Sequence, residues 1–427
     1  MSKKNYIPTV VVMYILFFMI AFVTGLQNPL SVIVKVQYDV PMSIAFLGNF
    51  ANFFAYAFMG LPAGMMLKKY GYKFSSIAAV TVGILGVGTL FISGLYDHLW
   101  IYFVGAFVSG LSMCMLNTVV NPLLNFIGGG GNRGNQLLQW GGSLNSFAAS
   151  IVPFVVGMLM GRSGETIIPG VRPNFHISDV NPVFIVLIAI FAVALLMILF
   201  TNIPEYQHDP KKKVINELIV ADDHNCFHFR HFKLGAIAIF LYVGIEVSIA
   251  NVTNIYLIHE VGISPAIAGS IVGFYWFLMF IGRLAGGYLG ARFSSKDMLS
   301  FSTVVVMALI MMVIFTPENL TLSVGRYSFG KIPVNVVFLV LTGLFTSVMW
   351  GTIYNMSVEG LGKYTPTATG FFMMMVCGGG IIPIVQAVLA DHIGCRASFW
   401  FVILCLTFLL YYASSGYKNV NKKIKVK

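Results

Sequence analysis

Charged residues are scarce in this chain. Lysine, arginine, aspartate and glutamate make up 10% of its 427 residues, whereas soluble domains average roughly 25%. Because 58% of the residues are hydrophobic and the mean hydropathy is +0.85, most of the chain must lie in lipid. We expect spanning helices, since each satisfies its own backbone hydrogen bonds. The apolar runs are much longer than the roughly ten alternating residues of a barrel strand.

Several motifs of catalysis and metal binding are also missing. The five cysteines form no CxxC pair, which argues against a disulfide framework and against a zinc site. The chain has no GxxxxGKS or GxxxxGKT phosphate loop, no HExxH pattern and no GxSxG elbow. We therefore expect neither an enzyme nor an ATP-driven pump, and no cofactor or metal.

Twelve hydrophobic segments follow one another, and we number them as spans one to twelve. The predicted fold class is all-α integral membrane, with twelve transmembrane helices in two pseudo-symmetric six-helix halves. The halves are predicted at residues 1–202 and 233–427, joined by a polar cytoplasmic linker at 203–232. The spans cover approximately residues 8–34, 42–67, 74–95, 99–126, 136–161, 181–202, 233–258, 266–290, 298–315, 333–360, 365–390 and 398–415.

The two halves repeat each other weakly. A shift of 234 positions lays Asn117 and Asn121 over Gly351 and Asn355 within similar pentapeptides. Shared motifs at matching span positions are typical of transporters built from parallel repeats.

The excess of basic residues predicts the topology. With twelve spans both termini lie on one side, and that side holds 20 of the 26 lysines and arginines. Because basic residues collect in cytoplasmic loops, we expect both termini in the cytoplasm and the chain in the cytoplasmic (inner) membrane. The same rule explains the net charge of +11 without a nucleic-acid partner. We expect a monomer whose remaining partner is the lipid bilayer.

Glu246 is the one acidic residue that falls near the middle of a span. A charge at the bilayer centre costs on the order of 3 kcal/mol on insertion scales. A desolvated carboxyl can be neutral in a closed state and ionised when one side opens. We therefore interpret Glu246 as a proton-coupling residue; the alternative is a structural partner for a nearby amide.

Neutral polar side chains recur inside the spans. Amides donate and accept hydrogen bonds, which suits a neutral, polyhydroxylated ligand better than a phosphate or carboxylate. The alternative for each amide is a hydrogen bond between helices, and for each aromatic ring it is packing. The candidate ligands are Asn28, Asn49, Asn117, Asn121, Gln139, Asn145, Asn254, Asn355, Trp276 and Trp350.

Four charged residues fall near the predicted cytoplasmic ends of spans. Lys68 and Lys69 follow span two, Arg283 lies late in span eight, and Glu359 ends span ten. We interpret all four as gating residues rather than as ligands, and Glu359 as a partner either for Arg283 or for Lys363.

Several motifs together resemble a known family. The six-plus-six layout and the segment from Gly60 to Gly71 resemble the major facilitator superfamily. More narrowly, Tyr242–Asn251 (YVGIEVSIAN) and Gly378–Asp391 (GGGIIPIVQAVLAD) are similar to the bacterial fucose–glucose/galactose:cation symporters. The resemblance runs through nearly the whole chain. It implies import of a hexose-like sugar coupled to protons or, in some members, to sodium.

Three positions depart from the pattern of that family. Asn28 stands where the family usually carries an aspartate, and Asn117 where it carries glutamate or glutamine. Gly142 replaces a glutamine, with Gln139 one turn earlier. Since two ionisable positions are neutral, Glu246 is the remaining candidate for coupling. We predict a sugar importer working by alternating access. The alternatives are sodium coupling, an uncoupled facilitator, transport of another small neutral solute, and a sugar sensor that does not transport.

Overall fold

The computed structural model describes residues 6–40, 42–162, 176–205, 224–263, 265–317, 320–323 and 331–421. In these parts of the chain, ten helices are long and apolar enough to cross a membrane. One of them, Leu47–Tyr96, has 50 residues, about twice the length of one crossing, and it contains spans two and three. Span five is the separate 32-residue helix Gly131–Arg162. The helices thus account for the predicted twelve spans.

The remaining helices follow the predicted order. Span ten is divided into two helices at Ser347 and Val348, and span eleven is divided by a turn of 3-10 helix at 375–377. Thr321–Ser323 and Lys331–Pro333 pair as antiparallel strands between spans nine and ten. In chain order the helices are Ile7–Gln37 (span one), Leu47–Tyr96 (two and three), Leu99–Ile127 (four), Gly131–Arg162 (five), Asn181–Phe200 (six), Arg230–Ile255 (seven), Pro265–Leu289 (eight), Ser295–Phe315 (nine), Val334–Thr346 and Met349–Val358 (ten), Thr365–Met374 and Gly378–Ile393 (eleven), and Cys395–Tyr411 (twelve).

Spans two and three meet at Gly71. Residues 68–70, which lie between the predicted bounds of spans two and three, are helical up to this glycine. Gly71 has φ +81°, a conformation that favours glycine. The Glu205 carboxylate accepts the backbone N–H of Tyr72 at 2.6 Å and that of Lys73 at 2.9 Å. It therefore caps the start of span three, where a negative charge is favourable. The rest of the predicted linker includes residues 206–223, which lie outside the described residues.

Contacts between helix ends define one face of the molecule. Thr9 donates its hydroxyl to the Asn202 carbonyl at 3.4 Å, and Lys73 Nζ donates to the Leu199 carbonyl at 2.8 Å. In the second half, the backbone N–H of Arg230 donates to Asn421 Oδ1 at 3.3 Å. We call this face, which carries both ends of the described chain, the terminal side, and the opposite face the far side.

The far side carries the same type of contact in both halves. Gln37 Oε1, at the end of span one, accepts the backbone N–H of Ile177 at 2.8 Å, just before span six. Glu260 Oε1, just after span seven, accepts the backbone N–H of Cys395 at 2.9 Å, where span twelve begins. In each half, therefore, a side chain at the end of the first span caps the start of the last one.

Candidate functional site

Glu246 and Arg283 form an ion pair within the spans. Arg283 Nη2 lies 3.5 Å from Glu246 Oε1, and the two side chains are 7% and 11% exposed respectively. Tyr275, also in span eight, donates its hydroxyl to the Glu246 backbone carbonyl at 3.2 Å. Tyr242 lies one turn before Glu246, is fully buried, and its hydroxyl interacts with the Glu246 carboxyl. Each charge of the pair compensates the other where isolated charges would be costly.

The Arg283 guanidinium also joins the two halves of the protein. Its Nη1 donates to the Gly142 carbonyl at 3.0 Å and to Asn145 Oδ1 at 3.2 Å, both in span five. Its Nε donates to the Ser347 carbonyl at 3.2 Å in span ten. Asn145 Nδ2 in turn donates to the Phe17 carbonyl of span one at 3.1 Å. The Arg283 side chain thus contacts three other spans: five, seven and ten.

We call the group formed by Glu246, Arg283, Gly142 and Asn145 the polar centre. We had placed Arg283 away from Glu246, at the terminal-side end of span eight, and this placement is wrong. A long arginine side chain can carry its charge well away from its own backbone, and this one reaches Glu246 rather than Glu359. Gly142 leaves space for it, since a Cβ at that position would lie 3.3 Å from Arg283 Cδ. The coupling role of Glu246 stays a prediction.

A second polar cluster joins spans two, four and ten. Asn117 Nδ2 donates to the Tyr56 hydroxyl at 3.0 Å. One turn on, Asn121 Nδ2 donates to the Asn117 carbonyl at 2.8 Å. Trp350 Nε1, from the other half, donates to Asn121 Oδ1 at 3.0 Å. Three of the predicted ligands are therefore in one hydrogen-bonded chain that crosses between the halves.

Two further predicted ligands lie in contacts between the halves nearer the terminal side. Gln139 Nε2 donates to the Val348 carbonyl at 2.8 Å. Asn355 Nδ2 donates to the Gly131 carbonyl at 3.0 Å, and its Oδ1 accepts Asn125 Nδ2 at 2.6 Å. Protein groups thus occupy both ends of the Asn355 amide in this arrangement.

Asn28, Asn49 and Asn254 lie toward the far side, whereas Trp276 lies in the middle part of span eight. Asn49 Nδ2 donates to Asn28 Oδ1 at 2.8 Å between spans two and one. Asn254 is eight residues beyond Glu246, about 12 Å along a helix, and its buried Oδ1 has no hydrogen-bond partner among the described residues. The Trp276 ring is partly buried and meets the Tyr275 ring edge-on at 5.3 Å.

The other predicted gating residues lie on the terminal side. Lys68 and Lys69 are exposed, and Lys69 Nζ lies 5.0 Å from the centre of the Tyr70 ring. Glu359 is exposed as well, while its backbone carbonyl is hydrogen-bonded to His231 Nε2 at 2.9 Å. These positions agree with the predicted ends of spans two and ten, and their gating role stays a prediction.

The two halves meet closely on the terminal side. Span two packs against span eleven, and span five against span eight. The Gly64 backbone lies against Gly370 and Pro366, close to the ends of spans two and eleven. These contacts close the space between the two halves on the terminal side.

Sequence reasoning missed several groups in these contacts. The carbonyls of Gly142 and Ser347 carry no signal in a sequence, because every residue has one. Asn125 did carry a signal, since it follows Asn121 by four residues and so shares a helical face with it.

Comparison with known proteins agrees with this architecture. Residues 234–424 match the family model described as Major Facilitator Superfamily. A solved major facilitator transporter, FucP in the outward conformation, aligns with a TM-score of 0.77 over 96% of this chain and 99% of that one, at 22% identity. The chain has the major facilitator fold.

Two relatives align with this chain along nearly its whole length. A glucose/galactose transporter of Brucella abortus is 27% identical over 423 residues, which are 98% of this chain and 96% of that protein. The L-fucose-proton symporter of Escherichia coli is 23% identical over 405 residues, 92% of this chain and 89% of that protein. These relatives confirm the predicted family resemblance and fold class, and they are multi-pass membrane transporters rather than enzymes.

Proposed function

We propose that this protein imports a hexose-like sugar by alternating access, coupled to protons through Glu246. The observation that carries the proposal is the buried pair of Glu246 with Arg283, whose guanidinium also binds Gly142 and Asn145 in the other half. A proton on Glu246 removes the negative partner of Arg283. The charge state of one carboxyl is therefore linked to the contacts that hold the halves together.

Neutral polar groups support a sugar as the substrate. Asn28 and Asn49 in the first half and Asn254 in the second offer amides toward the far side, and amides donate and accept at once. Trp276, next to Tyr275 in span eight, offers a flat apolar ring close to the level of Glu246. The one cation at the centre, Arg283, is already paired, so an anionic substrate would have to displace Glu246. Relatives named as glucose/galactose and L-fucose transporters favour the same substrate class.

The oxygen atoms near Glu246 favour a proton over sodium. A sodium ion binds through several hard oxygen ligands, as other hard cations do. Here the carbonyls of Gly142 and Ser347 and the Asn145 side-chain oxygen all accept from Arg283. These three oxygens are therefore already used by the guanidinium.

The direction of transport follows from the charge distribution. If the terminal side is cytoplasmic, as the basic residues predict, the described arrangement is closed to the cytoplasm. Asn28, Asn49 and Asn254 then meet the sugar from outside the cell. The protein belongs on this basis to the cytoplasmic membrane, with both termini inside.

Transport assays in proteoliposomes test the proposal. A panel of labelled neutral hexoses would be offered with an imposed proton gradient, an imposed sodium gradient, and neither. We expect at least one hexose to accumulate above its external concentration with the proton gradient alone. Accumulation with sodium alone would replace the proton with sodium, and equilibration without accumulation would indicate an uncoupled facilitator. No uptake of any hexose would contradict the sugar assignment.

A further inference from the structure

We propose that Arg283 is the positioning residue that transmits the charge state of Glu246 to the first half, through Gly142 and Asn145. The inference rests on the proposed coupling role of Glu246. It adds the structural element that the carboxyl acts upon, which is the contact of Arg283 with span five.

The geometry of the guanidinium carries this inference. An arginine has five N–H donors in one rigid plane and stays charged at all accessible pH values. Here Nη2 faces Glu246 in the second half while Nη1 faces Gly142 and Asn145 in the first. Because the plane is rigid, Arg283 cannot turn away from Glu246 without disturbing its bonds to span five.

Few other titratable groups face the pair. Tyr242 lies on span seven, one turn before Glu246, and Tyr275 lies on span eight, with its hydroxyl on the Glu246 backbone carbonyl. Span five presents only neutral groups to Arg283, the Gly142 carbonyl and the Asn145 amide. The carboxyl of Glu246 is therefore the group in these contacts that gains a proton as the pH falls.

Protonation of Glu246 leaves Arg283 as a buried charge without its counter-ion. Removing one partner of a buried pair is strongly destabilising, so the arrangement that buries Arg283 between the halves loses stability. An arrangement in which water reaches the guanidinium becomes more stable in comparison. Since Arg283 binds span five, we expect the terminal side to open when Glu246 becomes neutral.

Asn145 extends the same connection to span one. Its Oδ1 accepts from Arg283 and its Nδ2 donates to the Phe17 carbonyl. Span one also carries Asn28, a predicted ligand for the sugar. One amide therefore lies between the charged pair and the helix that faces the substrate.

A pair of spin labels on the full-length protein tests the inference without any sugar. Arg133→Cys and Arg292→Cys place one label on each half, at exposed positions near the terminal-side ends of spans five and eight. Distances between the labels would be measured in lipid nanodiscs from pH 5 to pH 9. The protein that carries only the labels should show a growing long-distance population as the pH falls. The protein without the two introduced cysteines, treated with the same spin label, gives the background signal from the native cysteines.

Two variants remove the contact with span five while keeping Glu246. In Asn145→Ala, Arg283 loses one acceptor, and in Arg283→Lys the charge remains without the rigid fork. Loss of a hydrogen bond to a charged group shifts an equilibrium by roughly tenfold or more. We expect both variants to raise the open population at high pH by that factor and to flatten its dependence on pH. Ser143→Ala, whose hydroxyl donates only to the Trp140 carbonyl, is the matched control and should behave like the parent.

The Glu246→Gln variant separates this inference from the proposed function. We expect its open population to be higher than that of the parent and to stay the same at all pH values. If it loses the pH response while Asn145→Ala and Arg283→Lys keep that response in full, the transmission by Arg283 is wrong and the role of Glu246 stands. If Glu246→Gln keeps the pH response, Glu246 is not the titrating group and the proposed coupling fails.

Discussion

Gly60 and Gly370 bring the two halves into backbone contact on the terminal side. A Cβ built on Gly370 would lie 2.6 Å from the Gly60 carbonyl oxygen and 2.7 Å from Gly64 Cα. No side chain can fit between spans two and eleven at this point. The close contact on the terminal side therefore depends on the absence of a Cβ atom at Gly60, Gly64 and Gly370.

Gly370→Ala should open the terminal side. Overpacking of this kind costs typically about 1–3 kcal/mol, and every 1.4 kcal/mol changes a population ratio about tenfold. We expect the ratio of open to closed molecules to rise by the factor that corresponds to this energy. The measurement is the population with the longer distance between the Arg133→Cys and Arg292→Cys labels. Gly273→Ala is the control, because a Cβ at that helical glycine has nothing within 4 Å. If the two substitutions behave alike, the contact between Gly60 and Gly370 does not hold the terminal side closed.

Glu246→Gln should abolish uphill transport and keep sugar exchange. One pH unit supplies about 1.4 kcal/mol per proton, enough for roughly tenfold accumulation of a neutral sugar. In the variant the accumulation ratio should fall to about one, because the amide cannot take up a proton. The measurement is the steady-state sugar ratio across proteoliposomes, with counterflow exchange as a check on folding. Asp391→Asn, at an exposed carboxyl that we assign neither to the site nor to the gate, is the control and should still accumulate sugar.

Trp350→Phe should weaken the contact between spans four and ten. The substitution keeps an aromatic ring but removes the Nε1–H that donates to Asn121 Oδ1. A hydrogen bond of this kind contributes about 0.5–1.5 kcal/mol, so the open population on the terminal side should rise roughly two- to tenfold. Trp400→Phe, in the exposed part of span twelve, should leave the label distances unchanged. An equal shift in both variants would contradict a specific role for the Trp350 nitrogen.

Glu205→Ala should destabilise the junction of spans two and three. Losing a side-chain cap at a helix start costs about 0.5–2 kcal/mol, which a lower midpoint of thermal unfolding in detergent would report. Glu205→Gln keeps one acceptor oxygen and should lose less. Gly71→Ala should lose more than either, because it also forces φ +81° on a residue with a Cβ. The opposite order would show that the capping contact with Tyr72 and Lys73 is not what stabilises this junction.

Cys226 should resist alkylation near neutral pH. Burial raises the pKa of the Cys226 thiol to about 11, and only the thiolate is the nucleophile. Its maleimide labelling rate should therefore rise about tenfold per pH unit between pH 7 and pH 10, starting far below that of an exposed cysteine such as Arg133→Cys. Equal rates at pH 7.5 would mean that Cys226 is accessible to solvent. Slow labelling also keeps this residue out of the distance measurements above.

The fold could be predicted from composition because lipid imposes a strong constraint. Long apolar runs have few ways to satisfy their backbone groups in a membrane, so the number and order of the spans followed directly. The position of the junction at Gly71 was harder to predict, because Lys68, Lys69 and Tyr70 before it are compatible with either a helix or a loop. Its position depends on the carboxylate of Glu205, more than a hundred positions away along the chain.

The candidate site was predictable in residue types but not in pairing. Glu246 stood out because a charge in lipid is costly, and the amides because they recur on spans one, two, four, five, seven and ten. Arg283 was placed with the gate because only its backbone position was known. Which atom a long side chain reaches depends on how the helices pack, and Gly142, by lacking a side chain, opens the space that Arg283 occupies.

The paired caps at Gln37 and Glu260 restrict how this protein can move. Thr9 and Gln37 attach both ends of span one to span six, and Arg230 and Glu260 do the same for spans seven and twelve. A helix held at both ends cannot swing by itself, so spans one and seven must travel with the bodies they belong to. Each half then moves as a rigid body, and the contacts along spans two, five, eight and eleven form the interface about which the two halves rotate.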